Sequence, residues 1–430
     1  MMVTHFTLLF VAFLLLMVGL KYWLALRQIR HVSRHADRVP AQFADRITLD
    51  AHRRAAAYTV AKQRLGLIET AASAALLVAL TLLGGLQWIA ESLQPVFGTG
   101  LVFQVAVVIG VVALVSVLDL PFEWYRQFRI EQAFGFNRMT LALFIGDTVK
   151  SALLAAALGL PITAVVLWLM DSAGSLWWLY AWVVWVAFNA LVLVLYPTVI
   201  APLFNKFEPL KDALLAQRIG ALLERTGFSS RGVFVMDGSR RSSHGNAYFT
   251  GLGRAKRIVF FDTLVERLLP SEIEAVLAHE LGHFKLRHVA KRLVFSFVAS
   301  LGFLALLGWL SAQSWFYLGL GVQPMVEPGT SNAGLALVLF VLVLPVFTFV
   351  LAPLGSLMSR KQEFEADAFA ARHAHADHLV SALVKLYQDN ASTLTPDPLH
   401  SAFYDSHPPA AVRIERLLAA REPQAVPAAS

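Results

Sequence analysis

A chain of 430 residues that is 57% hydrophobic and 15% charged lies outside the range of soluble globular proteins, so its length is not read as two or three soluble domains. The absence of cysteine excludes disulfides, thiolate metal sites and cysteine nucleophiles together, and leaves histidine and carboxylate as donors for any metal. A net charge of +7 would admit nucleic acid as a partner, but in a membrane chain the first question is where the cations fall.

Apolar segments long enough to cross a bilayer are read at Thr4 to Leu20, Leu65 to Leu86, Gly98 to Leu120, Ser151 to Met170, Leu176 to Leu195, Val294 to Leu310 and Ala333 to Leu354, which predicts seven spans. The first has no basic segment before it and no small-residue cleavage site before Lys21, so it is expected to stay as a span rather than act as a signal peptide. Of the 36 Lys and Arg, ten lie in 21–64, four in 121–150, fifteen in 204–292 and seven in 360–430. The segments 1–20, 87–97, 171–175 and 311–332 carry none, and a seven-span chain places these together on one face. The positive-inside rule therefore predicts an external N-terminus and a cytoplasmic C-terminus, and it accounts for the basic charge without nucleic acid. Lys21, Glu69, Asp147 and Lys150 sit near span ends, where snorkelling to the interface is expected; for Glu69 a polar cavity is equally open.

Soluble-domain character begins at Phe204. Asp212 to Arg225 has helical periodicity, Gly232 to Met236 reads as a strand, and Asn246 to Thr250 and Arg257 to Phe261 read as two more across Gly251-Leu252-Gly253. Then comes Pro270-Ser271-Glu272-Ile273-Glu274, where Ser271 as N-cap and Glu274 three residues on would form a capping box. The helix it opens carries His279-Glu280-Leu281-Gly282-His283. The two histidines are one turn apart and share a face, so both can reach one ion, and Glu280 projects beside them toward a metal-bound water. A catalytic zinc needs a third protein ligand. The extended pattern with a glycine three residues and a histidine six residues after the second ligand fails, because those positions are Leu286 and Val289 and His288 is one residue off. A carboxylate on another helix remains: in Glu363-Phe364-Glu365-Ala366-Asp367, Glu363 and Asp367 share a face, so Glu363 can bind the metal while Asp367 accepts from the far nitrogen of a ligating histidine, and Glu365 points elsewhere. Ser359 to Asn390 reads as one long helix, and 419–430, rich in Ala and Pro, as a disordered tail.

With these motifs, and with Leu120-Pro121-Phe122, Gly135-Phe136-Asn137-Arg138-Met139-Thr140, Tyr196 to Asn205, Asp237 to His244, Asn246-Ala247-Tyr248-Phe249, Phe261-Asp262-Thr263-Leu264 and Ser406-His407-Pro408-Pro409, the chain resembles the type I CAAX prenyl endopeptidases. The resemblance implies a mainly α, seven-transmembrane-helix protein enclosing a chamber, with a cytoplasmic zincin α+β domain carrying a small β-sheet. It implies one Zn2+ per chain held by His279, His283 and Glu363, with Glu280 as general base, and His407 and Arg413 near the site to bind or polarise substrate, Arg416 being also available. Asn246 and Tyr248 match the family's substrate-binding edge strand.

The expected organisation is a membrane domain over 1–203, a first zincin part over 204–292, two spans over 293–358, a second zincin part over 359–418 and the tail. Eukaryotic members of the family act on prenylated C-terminal peptides. No endoplasmic-reticulum retrieval signal is seen here, so the expected location is a bacterial inner membrane, with the lipid bilayer and a peptide or protein substrate, prenylated or membrane-associated, as partners. A heat-shock-type membrane metalloprotease of the quality-control class is the alternative, but it has fewer spans. A transporter or scaffold would leave the histidine and carboxylate helices unexplained.

Overall fold

The computed structural model describes residues 1–230, 232–250, 257–327 and 329–419. The Gly251-Leu252-Gly253 turn and residues 420–430 of the tail lie outside them.

The first half consists of long apolar helices: α1 (Met2–Arg34), α2 (Leu49–Leu80), α3 (Gly85–Phe97), α4 (Leu101–Tyr125), α5 (Leu141–Ser172) and α6 (Trp177–Leu195). Helix α4 runs on through a π-helical turn at Arg126–Glu131. Helix α6 does so at Tyr196–Ile200, where Pro197 cannot donate to the regular ladder, and continues into α7 (Ala201–Phe204). The second span ends earlier than expected, at Leu80, and 85–97 is a helix rather than a loop. Gly84, at φ +77°, permits the left-handed turn between the two.

A four-stranded sheet follows: β1 (Phe207–Pro209), β2 (Val233–Met236), β3 (Ala247–Thr250) and β4 (Arg257–Phe261), in the order β1-β2-β4-β3. Strands β2 and β4 are parallel, Val235 facing Phe260, and β3 pairs antiparallel with β4, Tyr248 facing Val259, so β3 is an edge strand. Strand β1 is absent from the sequence reading: three residues ending in proline carry no alternation to detect. Helix α8 (Ala213–Thr226) lies between β1 and β2, capped by Asp212, whose carboxylate accepts from the Leu215 N–H at 2.9 Å. After β4 come α9 (Asp262–Arg267) and α10 (Pro270–Lys285), the histidine helix.

Helix α10 starts two residues earlier than the Ser271–Glu274 capping box would have it. Leu269 is the N-cap, Pro270 occupies the first turn, and Glu272 accepts from the Leu269 N–H at 2.8 Å. Glu274 is instead ion-paired to Arg218 and Arg225 on α8, at 3.0 and 2.7 Å.

The chain then returns through α11 (His288–Leu310), α12 (Ser314–Leu318), α13 (Ala333–Thr348) and α14 (Ala352–His373), and ends in α15 (Ala376–Asp389), α16 (Pro398–Tyr404) and α17 (Ala410–Ala419). The described residues contain seven helices or helix runs long and apolar enough to cross a membrane, the number expected. The single helix expected over Ser359 to Asn390 is two, broken at Ala374, which is extended (φ −137°, ψ 174°). Leu379, Val380, Leu383 and Val384 on α15 are buried with Leu277 and Leu281 of α10 in one core; an unbroken helix would carry that apolar face away from it.

The polar groups near the span ends do more than snorkel. Glu69 accepts from Arg126, joining α2 to the end of α4. Asp147 on α5 takes both Nε and Nη2 of Arg241, at 2.7 and 3.1 Å, and Arg241 also donates to Asn205 Oδ1 and the Phe204 carbonyl, each at 2.7 Å. One guanidinium thus ties a membrane helix to the loop that leads into β3. Lys150 donates to the Leu203 carbonyl at 3.2 Å, and the Lys21 ammonium lies 5.3 Å from the Phe349 ring centroid.

Candidate metal centre

Helices α10 and α14 cross in close contact, and Gly282 makes this possible: a β-carbon there would lie 3.0 Å from Ala366 Cα. The crossing sets Glu363 against the two histidines. His279 Nε2 and His283 Nε2 are 3.2 Å apart, His283 Nε2 is 3.2 Å from Glu363 Oε1, and His279 Nε2 is 3.4 Å from Glu363 Oε2. Three donors bound tetrahedrally at ~2.0–2.1 Å stand ~3.3 Å from one another, so this set fits a zinc-sized ion. Glu363 Oε2 is also a buried oxygen without a hydrogen-bond donor, as a ligand awaiting a cation would be.

Asp367 occupies the expected position behind His279, its Oδ1 2.8 Å from Nδ1. Arg413, 5% exposed on α17, holds that carboxylate with Nε at 2.9 Å and Nη2 at 2.6 Å, and its Nη1 is 3.6 Å from Glu363 Oε2. Of the two arginines, Arg413 is the one that lies against the cluster, and Arg416 lies over the Phe364 ring, 3.8 Å from its centroid. Burial tends to lower the His279 imidazole, but the Asp367 and Glu363 carboxylates beside it prevail and push it up to about 9. Burial raises the Glu280 carboxyl above the usual range, against the pull of His279 and His283. A base shifted toward neutrality is better matched to proton transfer.

Glu280 lines a cleft of about 290 Å³ together with His279, Asn246, Tyr387, His407 and Arg413. His407 stands at its mouth, its side chain 61% exposed and Nε2 3.4 Å from Glu363 Oε1. Asn246 is exposed at the start of β3, and its Oδ1 accepts from the Ala247 N–H at 2.8 Å. The Tyr248 side chain is not among those that line the cleft. It lies on the face of β3 opposite Ala247 and Phe249, which pack on the α10 core, and stands edge-on to Phe261, its hydroxyl 3.8 Å from Met236 Sδ. Through Asn246, Asn390 and His407 the cleft adjoins a cavity of about 700 Å³ with polar walls that include Tyr58, Lys62 and His400.

Sequence reasoning missed two members of the cluster. His288, rejected above as a ligand, faces the outer nitrogen of His283, and Glu365, which does point away from Glu363, reaches His288. A third histidine five residues past the second was visible, but not the turn that brings it back.

Residues 28–206 match the family described as CAAX prenyl protease N-terminal, five membrane helices, and residues 209–421 match peptidase family M48. The chain belongs to peptidase family M48. Among M48 relatives it is 35% identical to a CAAX prenyl protease 1 homolog of Oryza sativa, covering 94% of this chain and 95% of that one. It is 38% identical to CAAX prenyl protease 1 of Saccharomyces cerevisiae, covering 71% and 70%. The crystal structure of S. mikatae Ste24p superposes with a TM-score of 0.89 at 31% identity, over 96% of this chain and 99% of that one. The chain is therefore an integral, multi-pass membrane metalloendopeptidase of the M48 family, and neither the heat-shock-type alternative nor a transporter or scaffold is favoured.

Proposed function

We propose that the chain hydrolyses peptide bonds with one Zn2+ held by His279, His283 and Glu363. The observation that carries this is the spacing of their three donor atoms, 3.2, 3.2 and 3.4 Å, beside a half-buried glutamate that follows the first of them. Zinc, when bound, supplies Lewis acidity toward a water and toward the scissile carbonyl. Glu280 takes the proton from the attacking water and returns it to the leaving nitrogen. His407, at the mouth, donates to the developing oxyanion. Asp367 keeps the His279 proton on Nδ1, and Arg413 positions Asp367 rather than touching substrate. An extended substrate lies along the free edge of β3, bound through main-chain hydrogen bonds near Asn246; Tyr248 contributes its backbone to that edge.

The substrate is a peptide or protein, prenylated or membrane-associated, as the names of the relatives suggest for those proteins. We divide the chain into a membrane domain over 1–203 and zincin parts over 204–292 and 359–418, separated by spans within 293–358; the change from one family match to the next between 206 and 209 supports the first of these boundaries. The distribution of Lys and Arg supports a cytoplasmic site, and we assign a bacterial inner membrane on the sequence reading alone.

The test is Glu280→Gln in the full chain. It should keep one zinc per chain and lose peptide hydrolysis by about a thousandfold or more; hydrolysis at the wild-type rate would remove Glu280 from its role. A membrane proteome compared between wild type and this variant would then show the uncleaved substrates.

A further inference from the structure

His283 points Nε2 at the ligand cluster, which leaves Nδ1 to be oriented by something else. It meets neither a carboxylate nor a backbone carbonyl. It faces His288 Nδ1 at 3.1 Å, and His288 Nε2 continues to Glu365 Oε2 at 2.9 Å. We propose that His288 is a positioning residue for the metal centre, fixing the tautomer and ring plane of His283 while Glu365 fixes its own, so that a membrane helix is tied to the site through its first residue.

The protons allow only one order. A neutral imidazole that binds a metal through Nε2 carries its proton on Nδ1. That proton is donated to His288 Nδ1, which must then be the acceptor, and the His288 proton is on Nε2. There it needs an acceptor of its own, and Glu365 supplies one. Every nitrogen is used once and no imidazole has to be charged. His288 is 1% exposed, so water does not replace the partner if the side chain is lost.

The backbone is shaped to the same end. His288 is past the end of α10 and opens α11, and it turns back toward His283 because Arg287 adopts the left-handed conformation, φ 59° and ψ 31°. A residue other than glycine is strained in that conformation, and such strain persists where surrounding structure holds it. The two histidine ligands are thus supported differently: His279 by Asp367 directly, His283 by Glu365 through His288. Both supports come from α14, which also carries Glu363. Although Glu365 faces away from Glu363 on that helix, it reaches the site by way of α11.

This inference rests on the zinc reading. The test compares wild type with His288→Leu, His288→Gln and Glu365→Ala as full chains in detergent. Zinc affinity is measured by chelator competition, thermal melting is recorded on the zinc-free proteins, and kcat and KM are taken at saturating zinc. His288→Leu should lower zinc affinity by about 10- to 100-fold and lower kcat with KM nearly unchanged. His288→Gln, whose amide can accept and donate in the same order, should recover most of the affinity. Glu365→Ala, at a partly exposed position, should lower it by a smaller factor and keep the fold, so it decides the matter if the leucine variant does not fold. Zinc affinity within about twofold of wild type in Glu365→Ala and in whichever His288 variants fold would make His288 a packing residue and overturn the proposal. Wild-type protein that binds no zinc would overturn the metal reading itself, a different result.

Discussion

Gly282 and Ala366 meet at the crossing of the two helices that carry the metal donors. A β-carbon on Gly282 would lie 3.0 Å from Ala366 Cα and 3.1 Å from Phe369 Cβ, contacts tight enough that backbone or buried side chain must give by a few tenths of an ångström. Gly282→Ala should therefore push α14 outward, cost about 1–3 kcal/mol as overpacking, and draw Glu363 off the histidines. The measurements are thermal melting and zinc affinity, which should fall together. Unchanged zinc affinity would show that the crossing has slack and that the glycine is there for another reason.

Asp367 and Arg413 form a buried pair, 4% and 5% exposed, joined by two hydrogen bonds. Asp367→Ala leaves the buried guanidinium with only its 3.6 Å contact to Glu363 and should destabilise the domain by about 3 kcal/mol, with zinc binding weakened because His279 loses its orienting partner. Arg416→Ala removes only a contact with the Phe364 ring and should leave both quantities close to wild type. Equal effects of the two substitutions on zinc affinity would mean that Arg416 supports the cluster as much as the Asp367–Arg413 pair does.

The residues that make the site were legible because their spacing is helical: 279 and 283, and 363 and 367, each share a face at one turn. What joins the two helices was not. Nothing in the local pattern says that Gly282 is a crossing point, since a glycine inside a helix reads only as a weak position. The seven spans were visible because hydrophobic length is a coarse and additive signal, but the α2–α3 boundary was not, as the apolar run continues across Thr81 to Gly84 while the helix stops. The Ser271–Glu274 box failed for a related reason. Pro270 favours the first turn of a helix, which moves the cap to Leu269 and gives Glu272 the role assigned to Glu274. The break at Ala374 is set by the docking of α15 on α10, and no residue within 359–390 announces it.

Glu272 ties the start of α10 to α15. Burial raises its carboxyl, but donors from Lys385, the Leu269 N–H and Ser381, at 2.7, 2.8 and 2.7 Å, prevail and hold it below the usual glutamate range. A group depressed in the folded state adds stability that is complete above its unfolded value, about 4.3, and is lost as pH falls through the lower folded value. Melting midpoints of wild type and Glu272→Gln should differ by the equivalent of about 1–2 kcal/mol near neutral pH. They should converge as the medium becomes acidic below that range. A gap that is the same at every pH would mean that the carboxylate charge contributes nothing to the helix start.

The sidedness of the site rests on where cations are missing, and it can be tested directly because the chain has no cysteine. Ser92 is exposed on α3, within the 87–97 segment that carries no Lys or Arg, and Ser229 is exposed between α8 and β2, inside the segment with fifteen of them. Loops that bear Lys and Arg stay on the cytoplasmic side during insertion, so the two serines should lie on opposite faces of the membrane. With Ser92→Cys and Ser229→Cys in intact cells, a membrane-impermeant maleimide should label the first, and should reach the second only after permeabilisation. The finding that α3 is a helix with several exposed apolar residues, Trp88, Val96 and Phe97 among them, leaves this expectation in place, because position 92 itself is open. Labelling in the reverse order would turn the whole chain over and put α10 on the external face of the membrane.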